Sequence, residues 1–186
     1  MFESNAQNSE AAETWSVVVL YEDKDTRERA MAMCDQLVKK FWSEVEFDFS
    51  WWRTDFLRDP AMAHVAANDA RTADFIIFCS SPESDLTPAV AKWFATWTGG
   101  REGRQGALLD LSYAADGLSP HYERKHADLR DLAHRAGLDY LTRIPQALRG
   151  NMPESWEIVQ TRATQVTSVL DEILHYPPPS HFGLNE

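Results

Sequence analysis

The sequence predicts a three-layer α/β/α domain built on a five-stranded parallel sheet. Three observations carry that expectation. Strand-like and helix-like segments alternate along the chain, the pattern of a parallel sheet whose crossovers are helices. Most strand-like segments are short apolar runs, as strands covered on both faces must be. The 186 residues, 44% hydrophobic and 25% charged, suit one globular domain with extensions.

Each element follows from its local pattern. Trp15-Ser16-Val17-Val18-Val19-Leu20-Tyr21 is a β-branched apolar run and reads as the first strand. Residues 25–42 place Ala30, Met31, Cys34, Leu37, Val38 and Phe41 on one helical stripe. Val45 to Trp51 alternates apolar and polar residues, which predicts a strand with one polar face near a sheet edge. Asp59-Pro60 is a helix start with Pro at the first helical position, and the Ala-rich helix 60–72 follows. Asp74 to Cys79 is the most hydrophobic strand, ended by Ser80, Ser81 and Pro82. Thr87-Pro88 opens a helix with Val90, Trp93, Phe94 and Trp97 on one face, and Gly99-Gly100 stops it. Ala107 to Ser112 is the fourth strand. Residues 121–136 form a charged amphipathic helix carrying Leu129, Leu132 and Ala136 inward, with Gly137 just past its end. Leu138 to Arg143 is the fifth strand, and a last helix runs from about 154 to 174.

The domain is expected to span 14–175. Residues 1–13, polar and acidic, are expected to be a disordered lead, and 176–186, beginning near Pro177-Pro178-Pro179, an extended tail. The lead has no Lys, Arg or apolar run, so it does not read as a signal peptide. No stretch reaches the length of a membrane span. Cys34 and Cys79 fall in a helix and a buried strand, with no disulfide framework. A cytoplasmic location is the expectation.

Lys+Arg is 18 against Asp+Glu 29, a net charge of −11. That balance argues against nucleic acid and against an anionic membrane, both of which need a cationic footprint. Seven Trp supply core and contact material. Trp93 and Trp97, four apart, belong to the core, whereas adjacent Trp51 and Trp52 point to opposite faces, so that either one of them is exposed and forms a contact surface with Arg53 or helices cover both faces. The expected partner is a protein or a second copy, and the long last helix suits a dimer contact.

The expected strand order is 2-1-3-4-5, the flavodoxin-like arrangement, whose ligand site lies outside the carboxyl ends of strands 1 and 3. The rim segments are therefore Tyr21 to Asp25, Cys79 to Asp85, Ser112 to Asp116 and Arg143 to Pro145. The first of these has no Gly and three carboxylates, Glu22, Asp23 and Asp25, which repel a phosphate unless a metal sits between them. Flavin mononucleotide, dinucleotide and P-loop sites are disfavoured on that ground. No G-x-S-x-G elbow and no zinc-spaced His/Cys cluster exists in the sequence. Asp110, inside a strand covered on both faces, requires a partner or a solvent opening.

The run Val17 to Asp25 resembles the first strand and acidic pair of response-regulator receiver domains, CheY-like in fold. Asp74 to Cys79 is similar to the receiver third strand, which ends in the phosphoacceptor Asp; here that position is Cys79. Leu111-Ser112 is similar to the fourth-strand end, and Ala136 to Arg143 to the run through strand 5, with Arg143 where the family has Lys and Ile144 inserted before Pro145. TIR-like domains share the look of the third strand.

The resemblance implies a candidate rim of Glu22, Asp23, Cys79, Ser80, Ser112 and Arg143, with Glu22 and Asp23 as a weak Mg²⁺ remnant. It implies no other cofactor. Aspartyl phosphorylation needs a carboxylate nucleophile and a metal, and Cys79 removes the nucleophile and one metal ligand. A non-catalytic pseudo-receiver module for signalling or protein interaction is therefore expected, with Arg143 pairing Glu22 or Asp23. The alternative is a small-ligand binder or enzyme using Asp23, Cys79, Ser80 and Ser112. As a reactive thiol, Cys79 would need nearby cations, and its acidic neighbours oppose that.

Overall fold

The computed structural model describes residues 13–41, 43–101, 103–112 and 120–142. Its strands are β1 (Glu13–Tyr21), β2 (Val45–Arg53), β3 (Phe75–Cys79), β4 (Ala107–Asp110) and β5 (Asp139–Thr142). They form one sheet in the order β2-β1-β3-β4-β5, with every neighbouring pair parallel. Four helices connect them: α1 (Lys24–Phe41), α2 (Pro60–Thr72), α3 (Pro88–Trp97) and α4 (Pro120–Arg135). The order is the predicted flavodoxin-like one.

Alternation along the strands divides the core in two. Val18, Leu20, Ile76, Phe78 and Leu108 face α2, α3 and α4. Val17, Val19, Phe75, Ile77, Cys79, Leu109 and Leu141 lie on the opposite face, with Ala30, Met33, Cys34, Leu37 and Phe41 of α1. The result is three layers, and β1 and β3 are apolar throughout their centres because helices cover both sides.

β2 lies at one edge of the described sheet and β5 at the other, and the exposed Glu46 and Asp48 of β2 are the polar face that the alternation predicts. It runs through Arg53, two residues beyond the expected end. A 3-10 turn, Thr54–Arg58, follows and was not expected; Leu57 and Thr54 anchor it by burial, an irregular element with no periodic signal. Trp51 and Trp52 lie on opposite faces and are both half-buried. Trp51 joins a row of rings with Phe49 and Tyr21, and the Trp52 indole donates to Asp69 Oδ2 at 3.1 Å. Trp93 and Trp97 are core residues in edge contact at 5.3 Å.

Two glycines are required by the backbone. Gly137 takes φ +69° just past α4, and a Cβ on Gly106 would meet the Asp74 carbonyl at 2.6 Å. β4 pairs only to Asp110 rather than to Ser112, although Leu111 N still donates to Phe78 O at 2.8 Å. The expected lead up to residue 12, Arg143, the last helix at 154–174 and the tail lie outside the described residues.

Candidate functional site

The carboxyl ends of β1, β3 and β4 meet at one rim, and most of its polar side chains are bonded to the protein itself. Glu22 follows β1. Its Oε2 accepts from Ser81 N at 2.8 Å, and Ser84 Oγ donates to Oε1 at 3.1 Å, so Glu22 holds the loop after β3. Asp23 caps α1: its Oδ1 accepts from Thr26 N at 2.9 Å and from Thr26 Oγ at 2.8 Å. Those bonds, the Thr26 amide first, hold the Asp23 carboxyl below the usual carboxylate range. Thr26 in turn accepts from the Glu22 and Asp23 amides at 3.0 and 2.8 Å.

Cys79 ends β3 and is fully buried. Burial pushes its thiol up to about 12, with the Arg29 guanidinium acting the other way. Arg29 reaches across from α1. Its Nη1 donates to Leu111 O at 2.9 Å and to Ser80 O at 3.5 Å, and lies 4.0 Å from Cys79 Sγ. A guanidinium placed there satisfies carbonyls at the ends of two strands where the ladder stops.

Ser80 and Ser112 are buried side by side, Oγ to Oγ at 2.7 Å, and Ser80 N donates to Ser112 Oγ at 3.1 Å. The ammonium of Lys125 comes down from α4 onto this pair. Its Nζ donates to Ser80 Oγ at 2.9 Å and to Ser81 O, with Ser84 Oγ at 3.4 Å. Lys125 is 1% exposed. Burial draws its pKa below the ordinary lysine value, opposed first by Glu22 and then by Asp110.

Asp110 is 0% exposed and finds its partners within the sheet. Oδ1 accepts from Ser112 N at 2.8 Å and Oδ2 from Tyr140 OH at 2.8 Å. Tyr140 has one proton, and a carboxylate can only accept. The phenol oxygen therefore accepts from His126 Nδ1, 2.9 Å away, which fixes the ring with its proton on Nδ1. Lys125 and His126, neighbours on α4, thus approach one buried carboxylate from two sides: Lys125 through Ser80 and Ser112, His126 through Tyr140.

The structure brings together Glu22, Asp23, Cys79, Ser80 and Ser112 of the six predicted rim residues, and Arg143 lies outside the described residues. Residues that sequence reading passed over supply the cations: Lys125 and Arg29. Position 125 is four before Leu129 and so falls on the apolar stripe of a helix otherwise read as charged outside; that register is the signal. Asp110 receives its donor from Tyr140, an inward position of β5.

Mg²⁺ does not fit the residues present. A hard cation wants several oxygens in octahedral geometry. Glu22 and Asp23 are engaged with protein donors, and the third position is a buried thiol. Among the described residues no group of three or more His, Cys, Asp or Glu is placed to hold a metal ion. Nor is any described helix long and apolar enough to cross a membrane.

No family model and no curated protein matches the chain. Among solved structures it is similar to Smu.1420 from Streptococcus mutans UA159, at 10% identity and a TM-score of 0.45, over 85% of this chain and 100% of that one. The fold assignment rests on the sheet order and the layers, not on that likeness.

Proposed function

We propose that this protein is a receiver-like module for protein interaction in signalling, held in one state by its own side chains instead of being switched by a phosphoryl group. The supporting observation is that the groups such chemistry would use are already engaged or replaced. Cys79 stands buried where the resemblance places the nucleophilic Asp. Glu22 bonds the loop after β3 that a switching rim would move, and Lys125 neutralises that loop from α4. In this reading Glu22 and Lys125 do permanently what a bound phosphoryl group and its cation would do transiently.

Incubation of the full chain with a small-molecule phosphoryl donor and Mg²⁺, followed by intact-mass measurement, tests this. The expected result is no phosphoryl adduct. A stoichiometric adduct lost on hydroxylamine treatment, the behaviour of an acyl phosphate, would overturn the proposal.

One observation favours the alternative of a rim enzyme or ligand binder: the Lys125–Ser80–Ser112 chain sets a hydroxyl beside an amine of depressed pKa. Covalent labelling of Ser80 by an electrophilic serine probe, absent in Ser80→Ala, would select that reading.

A further inference from the structure

A network of hydrogen bonds runs inward from α4 and ends at the rim. His126 Nδ1 donates to the Tyr140 phenol at 2.9 Å, and Tyr140 OH donates to Asp110 Oδ2 at 2.8 Å. Asp110 Oδ1 accepts from Ser112 N at 2.8 Å. Ser112 Oγ accepts from Ser80 N at 3.1 Å and lies 2.7 Å from Ser80 Oγ, which accepts from Lys125 Nζ at 2.9 Å. Lys125 in turn holds Ser81 O in the loop after β3. Successive residues of a helix point about 100° apart. α4 therefore sends Lys125 to the rim and His126 to β5, and both ends of the network belong to one helix.

The outer end is open to a proton. An ionised carboxylate only accepts, so the Tyr140 proton points at Asp110 and His126 donates from Nδ1. The lone pair of this half-buried ring is then on Nε2, and a second proton added there breaks no link in the network. A positive ring makes Nδ1–H a stronger donor to Tyr140. Tyr140 becomes a stronger donor to Asp110, and Asp110 a weaker acceptor for Ser112 N.

Of the groups in the network, His126 is the one whose ordinary pKa lies between about 5 and 8. Its ring faces Tyr122, stacked one turn back on α4 at 5.8 Å, Arg130 one turn on, Tyr140 of β5 and Asp110 of β4. Asp110 favours the second proton, whereas burial, the largest effect, and Arg130 oppose it.

We propose that His126 is a pH-sensing residue: a proton taken at Nε2 passes on, as a change in hydrogen-bond strength, through Tyr140 and Asp110 to Ser112 and Ser80 at the rim. The proposal rests on the interaction-module reading and adds that the strength with which the rim is held varies with pH.

Histidine-ring and ¹H–¹⁵N spectra of the full chain, recorded from about pH 5 to 8, test this. The Ser112 and Ser80 amides should shift with the same midpoint as the His126 ring. Tyr140→Phe should leave His126 titrating and abolish the accompanying shift of both amides, because the link is cut. His126→Asn, whose side-chain amide donates but does not titrate, should abolish it as well. Amides that stay flat through the His126 midpoint, or that follow it in Tyr140→Phe as in the parent chain, would overturn the proposal. The phosphoryl-donor experiment reads mass at one pH, so the two readings fail separately.

Discussion

Tyr140→Phe removes one hydroxyl and almost no volume. Its OH is the donor that Asp110 Oδ2 receives inside the sheet, at 2.8 Å, while Oδ1 keeps the Ser112 amide. Asp110 is fully buried, so water does not replace the lost donor. A hydrogen bond to a charged group contributes roughly 1.5–3 kcal/mol, and leaving a buried charged acceptor short of a donor costs about that much. The His126 side needs little correction, because that ring is half-buried and can turn to solvent. For a domain of this size the loss corresponds to a Tm drop of roughly 3–12 °C. Urea unfolding of the parent chain and the variant measures it. In an Asp110→Asn background the same substitution should cost only about 0.5–1.5 kcal/mol, the usual value between neutral groups, so a double-mutant cycle should show coupling. A Tyr140→Phe cost below about 0.5 kcal/mol, or no coupling, would refute the claim that Asp110 depends on this one phenol.

Other outcomes follow from the same geometry. Burial, with help from Arg130 and opposition from Asp110, sets the His126 pKa below the ordinary value of 6.5. The unfolded chain then binds the proton more readily, so the contribution of His126 is fully present above about pH 6.5 and falls as pH drops below it; an NMR titration placing the His126 midpoint above 6.5 would contradict this. Burial pushes both thiols, Cys34 and Cys79, up to about 12. Neither should react with a thiol reagent at neutral pH until the chain unfolds, and one equivalent reacting at once would be the wrong answer. Asp59 caps α2 through Ala61 N at 2.8 Å and Met62 N. Asp59→Ala should therefore cost about 1 kcal/mol in urea unfolding, and no loss would mean that the cap contributes nothing.

The sheet order was legible in the sequence because the strands are unambiguous. Val17 to Leu20 and Phe75 to Phe78 are too apolar for anything but a position covered on both faces. The Thr54–Arg58 turn was not, since one buried Leu and one buried Thr make no period. At the rim, the segments that carry Glu22, Asp23, Cys79, Ser80 and Ser112 follow from strand ends, because a parallel sheet delivers the carboxyl ends of its strands to one place, and the receiver resemblance singled out these residues within them. What they do there depended on side chains arriving from helices. Lys125 and Arg29 are long, charged and surface-like by type, and only register places them inside. The requirement that Asp110 find a partner was readable from its position in β4. The partner itself was not, because the β4–β5 register that sets Tyr140 near it is a tertiary fact.

Glu22, Arg29 and Lys125 already tie the rim together, and a ¹H–¹⁵N spectrum of the full chain recorded with and without Mg²⁺ and beryllofluoride, a mimic of the phosphoryl group, tests whether it still responds. The amides of Asp23, Ser80, Ser81, Ser84 and Ser112 should stay where they are. Saturable shifts of those amides would contradict this, because they would mean that the rim still takes a phosphoryl group and moves when it does.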